Sequence, residues 1–353
     1  MHLEECGRDD QPEQGATTFG RQGDPVRRRE FITVLGGASA WPLVGHAQQP
    51  ERVRRVGVLM SVPENDPIAQ RRVTIVAQAL GRFGWVEGKN IRIDYRFAAS
   101  DPTLFKTYAA ELVGLLPDAI LATSSSAVAA LRQQTRTIPV VFTPVADPVG
   151  QGFVQSLARP GGNLTGFSSN GAELMGKWVQ LLKEVAPSVT RVAVIFNPET
   201  ASYAPLFNRL IEAAASSFGM TVTLAPVHDD AGIEAAVATH AREPGGGLIA
   251  FPQSFSGTHR NAIIAAASRH GLPQIGQLEL ARAGGLMSYD VDIDDGYAQS
   301  ASYIDRILKG ASPADLPVQQ PTKYSLIINL KTAKALGLTV PPAILDLADE
   351  VIE

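Results

Sequence analysis

Short polar clusters follow several apolar, β-branched runs in this chain of 353 residues. Their hydroxyl, amide, carboxylate and phenol groups are suited to hydrogen bonding a small polar molecule. Ligands of doubly wound α/β sheets lie beyond the carboxyl ends of the strands, so these clusters predict one polar rim on each half of the chain. The candidate ligand-binding residues are Ser124, Ser125, Asp147, Asn197, Glu199, Ser202, Tyr203, Gln253, Ser254 and Tyr289.

These residues also have simpler structural explanations. Ser124 and its two serine neighbours could only cap the helix that follows, although a helix N-terminus there would also favour a ligand carboxylate. Asp147, which precedes a proline, is either a helix cap or the charge partner of a ligand amine. Asn197 before Pro198 is by default a turn, and Tyr203 and Tyr289 could be ordinary half-buried aromatics.

Signatures of enzymes and metal sites are absent from the sequence. There is no G-x-G-x-x-G after the first strand, no phosphate-binding G-x-x-x-x-G-K-[ST], no H-E-x-x-H and no G-x-S-x-G. Four histidines follow the N-terminal leader, at 228, 240, 259 and 270, and they are irregularly spaced. The acidic pairs Asp229-Asp230 and Asp294-Asp295 stand where helices are predicted to begin, which favours capping. We therefore predict no catalytic residue, no cofactor and no metal.

The elements that must position the polar clusters are short β-branched strands alternating with Ala- and Leu-rich helices from Arg54 onward. This alternation predicts an α/β fold with parallel sheets. About five strands on either side of Gly166 predict two doubly wound, Rossmann-like lobes with a ligand cleft between them. We place residues 53–166 and about 284–312 in lobe 1, and residues 167–283 and about 313–353 in lobe 2. Several crossings between lobes would form a hinge.

Composition and charge point to a small-molecule partner or a protein partner. The net charge is −4 with acidic and basic residues interspersed, which indicates no nucleic-acid footprint. After the N-terminal leader, no apolar run approaches the roughly 20 residues needed to span a bilayer. The single cysteine, Cys6, lies in that leader, so the rest of the chain has no thiol chemistry.

Residues 1–47 are predicted to be a leader and export signal. A basic segment containing Arg28 and Arg29 precedes a short apolar run, and small residues before Gln48 predict cleavage after Ala47. The arginine pair favours a twin-arginine signal over an ordinary secretory signal. The polar segment before the signal suggests that Val26 is an alternative true start.

Several longer stretches resemble the ABC-transporter substrate-binding protein family related to tryptophan/tyrosine-binding proteins. They are Val53–Met60, Gly84–Ile91, Asp147–Gly150, Leu157–Gly166 and Leu326–Leu338. The resemblance implies a type I periplasmic-binding fold with three crossings between its lobes. It also implies capture of a small solute for an inner-membrane permease and ATPase. The cleavable signal has no lipid-attachment cysteine before its cleavage site, which predicts a protein free in the periplasm without direct membrane insertion.

Seven of the candidate residues also match positions that contact amino-acid ligands in this family: Ser124, Ser125, Asp147, Asn197, Glu199, Ser202 and Tyr289. The family often has an acidic residue after the eighth strand, where this chain has Gln253-Ser254. A sensory protein of the same fold, or an enzyme on a doubly wound fold, are the alternatives that the sequence leaves open.

Overall fold

A computed structural model describes residues 52–169 and 173–353 of the chain. The predicted leader and export signal therefore lie outside the described residues. The described part contains two sheets, and we call each sheet, with the helices packed on it, a lobe. None of the helices in this part is long and apolar enough to cross a membrane.

The first sheet is entirely parallel, with strand order β2-β1-β3-β4-β5. Its strands are β1 (Arg54–Met60), β2 (Ile91–Phe97), β3 (Ala119–Ala122), β4 (Val140–Val145) and β5 (Leu164–Ser168). The connecting helices are α1 (Pro67–Arg82), α2 (Pro102–Gly114) and α3 (Ser125–Gln134). Side-chain caps start all three helices: Asp66 for α1, Asp101 for α2 and Ser124 for α3. The predicted Asp101 cap with Pro102 in the first turn is confirmed.

The second sheet has strand order β12-β11-β10-β9-β8-β6-β7, and only the β10–β11 pair is antiparallel. Its strands are β6 (Arg191–Phe196), β7 (Thr221–Pro226), β8 (Gly246–Ala250), β9 (Gln274–Gly276), β10 (Met287–Val291), β11 (Tyr324–Asn329) and β12 (Glu350–Ile352). The remaining helices are α4 (Glu173–Val185), α5 (Ala204–Ser217), α6 (Asp230–His240), α7 (Ser254–Thr258), α8 (Arg260–Arg269), α9 (Leu278–Arg282), α10 (Ile293–Leu308), α11 (Leu330–Ala335) and α12 (Pro342–Leu345).

Helix α10 leaves the second sheet and returns to the first lobe. Its buried residues Tyr297, Ala301 and Ile304 pack with the apolar residues of β1 and α1 in one core. The chain therefore passes between the sheets after β5, after β10 and again before β11. Our boundary near residue 284 falls too early for β10, because residues 287–291 pair with β9 and β11 of the second sheet.

Gly166 allows β4 and β5 to come unusually close. Its φ is +150°, and a Cβ added there would lie 2.1 Å from the carbonyl oxygen of Phe142. Only glycine fits at such a spacing. On the other side of β5, the backbone N–H of Gln319 donates to the carbonyl of Gly166 at 2.9 Å, which fixes the last crossing segment against the first sheet.

Candidate functional site

A cavity of about 80 Å³ lies between the two lobes, beyond the carboxyl ends of β1 and β3 on one side and of β8 and β9 on the other. A water molecule needs roughly 10–15 Å³ by the same measure, so the cavity has room for several waters or a small solute. Its polar lining residues are Ser61, Arg72, Thr123, Ser124, Ser125, Ser169, Tyr203, Gln253, Ser254, Ser256, Arg260, Gln277 and Glu279. Five of the ten predicted residues are among them.

Ser124 and Ser125 form the first-lobe wall of the cavity where β3 runs into α3. Both are buried. The Ser124 hydroxyl accepts from the backbone N–H of Ala127 at 3.1 Å, so the predicted cap is present. The Ser125 hydroxyl accepts from the side-chain amide of Gln151 at 3.1 Å. The wall therefore presents the N-terminus of α3 to the cavity, where the helix dipole favours a negatively charged ligand group.

Ser254 and Ser256, in the short helix α7, line the opposite wall of the cavity. Their hydroxyl oxygens are buried and have no hydrogen-bond partner among the described residues. Leaving a buried hydroxyl without a partner costs about 1–3 kcal/mol. A bound molecule that hydrogen bonds to these two oxygens would recover part of that cost.

Gln253 also lines the cavity, but the protein itself engages its amide. In the orientation that satisfies both ends of the amide, the nitrogen donates to the Asn197 carbonyl and to Thr200 Oγ1, each at 3.1 Å. The amide oxygen then accepts from the Asn197 backbone N–H at 2.8 Å. Gln253 therefore ties the loop after β8 to the loop after β6 and holds the start of α7 in place.

Tyr203 contributes an aromatic surface to the cavity. Its ring centroid lies 5.3 Å from that of Phe207 and 5.7 Å from that of Phe251. The hydroxyl donates to the Pro252 carbonyl at 2.7 Å. Burial raises the pKa of Tyr203, so the phenol stays protonated and keeps donating. The predicted position in the cleft is present, with the ring rather than the hydroxyl available to a ligand.

The structure does not bring Asn197, Glu199 and Ser202 to the cavity wall. Asn197 is buried in a turn, where its side-chain oxygen accepts from the backbone N–H of Glu199 at 2.8 Å. This is the turn that the Asn-Pro sequence predicts. Glu199 is 59% exposed and stands 3.5 Å from His228. Glu199 and Ser202 both line a neighbouring surface groove beside α3.

Asp147 and Tyr289 also lie outside the cavity. Asp147 has a φ of +38°, and its carboxylate accepts from the backbone N–H of Gly150 at 2.9 Å, which closes a turn. The described chain between β4 and β5 contains no helix, so Asp147 is not the helix cap that the sequence allowed. It lines a separate groove with Arg132 and Arg209. The Tyr289 ring stacks on Tyr324 with centroids 5.6 Å apart, so it serves the packing of β10 on β11.

Three charged residues of the cavity wall, Arg72, Arg260 and Glu279, are absent from our predicted site. Arg72 and Arg260 lie within helices, twelve and ten residues after the end of the preceding strand, so the rule about strand ends does not reach them. Glu279 still follows β9 closely, which was the one available signal. Capping is confirmed for one of the two acidic pairs, since Asp229 caps α6. It is wrong for the other pair, because the cap of α10 is Asp292 and Asp294 forms ion pairs instead.

Ion pairs hold these charged residues across the cleft. Arg72 of α1 donates to Glu279 of α9 at 2.8 Å and to Asp294 of α10 at 3.1 Å, and its guanidinium lies 5.0 Å from the ring centre of Tyr297. Burial alone would lower the pKa of Arg72. Tyr297 and the two carboxylates raise this pKa by more than burial lowers it, so the net shift is upward and the guanidinium stays charged. The cavity wall therefore contains charged side chains in ion pairs as well as serine hydroxyl groups.

No group of three or more His, Cys, Asp or Glu side chains within residues 52–169 and 173–353 is arranged to hold a metal ion. The cavity offers hydroxyl groups, one aromatic face and paired charges instead. The arrangement is that of a site for binding a small solute.

Comparison with known proteins supports this description. The sequence pattern of the ABC transporter substrate binding proteins matches residues 55–352, nearly all of the described chain. The chain belongs to this family. Among curated proteins it is similar to the tyrosine-binding protein of Clostridioides difficile (strain R20291), with 27% identity over 270 residues, covering 74% of this chain and 75% of the relative.

Solved structures of similar proteins have the same fold. A conserved domain protein from Vibrio cholerae matches with 30% identity and a TM-score of 0.78, covering 85% of this chain and 100% of that one. An ABC domain from Streptococcus pneumonia in complex with L-Trp matches with 24% identity and a TM-score of 0.77, covering 85% and 99%. The predicted family and the two-lobed periplasmic-binding fold are thereby confirmed.

Proposed function

We propose that this substrate-binding protein is the periplasmic component of an ABC importer and that it captures a small polar, amino-acid-like solute between its lobes. The cavity carries the proposal. Hydroxyl groups from both lobes line it, and two of them, on Ser254 and Ser256, lack a partner among the described residues. The tyrosine-binding relative and the L-Trp complex of a similar fold support an amino-acid-like ligand.

The lobes meet around the cavity in a closed arrangement. Ser100 of the first lobe lies 3.0 Å from Thr258 of the second, hydroxyl to hydroxyl. Ser126 donates to the Thr200 carbonyl at 3.1 Å on another side of the cavity. A solute in this position would have to enter when the lobes are apart and would be enclosed when they close.

We assign the contacts as follows. A ligand carboxylate would face the N-terminus of α3 at Ser124 and Ser125, the hydroxyls of Ser254 and Ser256 would bond its polar groups, and Tyr203 would pack against its apolar part. Gln253 and Asn197 would act indirectly by fixing the loop that carries Ser254. The closed form would then be handed to an inner-membrane permease.

A binding screen tests the proposal. Thermal unfolding is measured with amino acids, aromatic acids and small polyols, and a true ligand at 100 times its Kd adds about 2.7 kcal/mol of stability. Calorimetry on the best ligand then compares the wild type with Ser256→Ala, and with Ser302→Ala as a half-buried control on α10 outside the cavity lining. We expect Ser256→Ala to weaken binding roughly fivefold and the control to leave it unchanged. If none of these solutes binds, the proposed ligand class is wrong.

A further inference from the structure

The charged side chains on the cavity wall form a balanced network that joins the two lobes. Among the described lining residues only Arg72, Arg260 and Glu279 are charged, and each has an ion-pair partner on the other lobe. The inference drawn from this network rests on the proposed function, because it concerns the solute that the same cavity accepts.

The first bridge joins Asp66, at the start of α1, to Arg260, at the start of α8. The two guanidinium nitrogens lie 2.7 and 3.1 Å from the two carboxylate oxygens, a bidentate geometry. The side chains are only 9% and 13% exposed. Burial acts to raise the pKa of Asp66, but the bonds from Arg260 and the Ile68 backbone lower it below its usual value. The Asp66 carboxylate therefore stays ionised in neutral solution.

The second bridge joins α1 to α9. Glu279 accepts from Arg72 at 2.8 Å and also lies 3.7 Å from Arg71. Asp294, on the first-lobe helix α10, completes the group by pairing with Arg71 at 2.6 Å and Arg72 at 3.1 Å. The two bridges together hold three arginines and three carboxylates, so their formal charges cancel.

Each lobe thus offers one cation and one anion to the other across the cleft. A solute with a net charge would be buried against a wall whose charges are already compensated. It would either stay uncompensated in a site with little water or take a partner from a bridge that holds the lobes together, and both are costly. A zwitterionic or uncharged solute adds no net charge and leaves both bridges intact.

We propose that this network is a charge filter, in which Asp66, Arg72, Arg260 and Glu279 restrict the protein to solutes without net charge. The filter works through closure, because the bridges that exclude a charged solute are the same ones that close the lobes. Glu279 determines which sign of solute charge the wall disfavours, because without its carboxylate the wall carries one extra positive charge.

A matched set of ligands tests the selection. Calorimetry compares L-tyrosine with tyramine and 3-(4-hydroxyphenyl)propionate, L-tryptophan with tryptamine and 3-indolepropionate, and L-glutamine with L-glutamate. We expect the net-neutral member of at least one series to bind at least tenfold more tightly than its charged counterparts. We expect Glu279→Gln to shift this preference toward the anion by about tenfold. Equal binding of a charged member by the wild type, or an unchanged preference in Glu279→Gln, would overturn the proposal.

A second measurement needs no ligand. Small-angle scattering of the ligand-free protein compares the wild type with Asp66→Asn and Glu279→Gln. Glu111→Gln is the matched control, because Glu111 pairs with Arg96 at 2.7 Å within one lobe. We expect a larger radius of gyration in the two bridge variants only. Identical radii in all four proteins would show that the bridges do not hold the lobes and would refute the filter. Failure of every ligand to bind, with opened bridge variants, would instead count against the proposed function.

Discussion

The two walls of the cleft differ in how their polar groups are used. On the first lobe, Ser124 and Ser125 are already bonded, as a helix cap and as a partner of Gln151. On the second lobe, the hydroxyls of Ser254 and Ser256 are buried without a partner among the described residues. The two serine oxygens of the first wall therefore already accept hydrogen bonds from the protein, whereas the two on the second wall have no such partner. Substitutions on the two walls should separate stability from binding.

Replacing Arg72 with methionine should have the largest effect. It leaves Glu279 and Asp294 without their buried partner, which costs about 3–5 kcal/mol of unfolding free energy. Arg71 provides a matched control because it contacts the same two carboxylates but is 45% exposed, against 8% for Arg72. We expect Arg71→Met to cost less than about 1 kcal/mol in urea unfolding. Equal losses would show that burial of the network is not what matters.

The serine pair should separate the two walls directly. Ser124→Ala removes a cap and should lower the unfolding free energy of the ligand-free protein by about 1 kcal/mol. Ser254→Ala removes an unpartnered hydroxyl and should leave that free energy unchanged or slightly higher, while ligand affinity falls roughly fivefold. Urea unfolding and calorimetry on the same samples measure both quantities. A loss of stability in Ser254→Ala would mean that its hydroxyl is bonded within the protein.

Acid should weaken the bridge between the walls at Asp66. The folded-state pKa of this carboxyl lies below its usual value of 3.8. Its contribution to stability is therefore complete above that pH and is lost as the pH falls through the lower, folded-state pKa. Unfolding free energies of the wild type and Asp66→Asn should differ at pH 6 and converge toward pH 2. A constant difference over this range would contradict an ionised bridge.

Asp147 should give the smallest effect on binding. Asparagine keeps the oxygen that accepts from Gly150 and tolerates a positive φ, so Asp147→Asn changes mainly the charge. Since Asp147 lies outside the cavity, we expect ligand affinity to change by less than about twofold. A tenfold loss in calorimetry would restore the role that the sequence suggested, as the partner of a ligand amine.

The sequence was sufficient for most of the fold. Alternating β-branched strands and amphipathic helices predicted two α/β lobes with about five strands each, and the described sheets have five and seven strands. The short strand β12 and the short helices α7, α9, α11 and α12 were missed, because segments of three to six residues have too little periodicity. The place of β10 could not be predicted either, since membership of a sheet depends on pairing with strands distant in the chain.

The site was predictable only in part, for a related reason. The strand-end rule located Ser124, Ser125, Tyr203, Gln253 and Ser254 on the cavity wall. It failed where the loop turns its side chains back onto its own backbone, as at Asp147 and Asn197. It also missed Arg72 and Arg260, whose positions in the cleft follow from how the two lobes meet. No local pattern contains that information.

A crystal structure of the protein with the solute found by the binding screen would test the two-wall site most directly. We expect the solute between the lobes, with one polar atom within hydrogen-bonding distance of Ser254 Oγ or Ser256 Oγ and another at the N-terminus of α3. Both ion-pair bridges should be intact around it. A solute bound in the groove beside Asp147 and Arg209, with the Ser254 and Ser256 hydroxyls still unpartnered, would contradict this assignment.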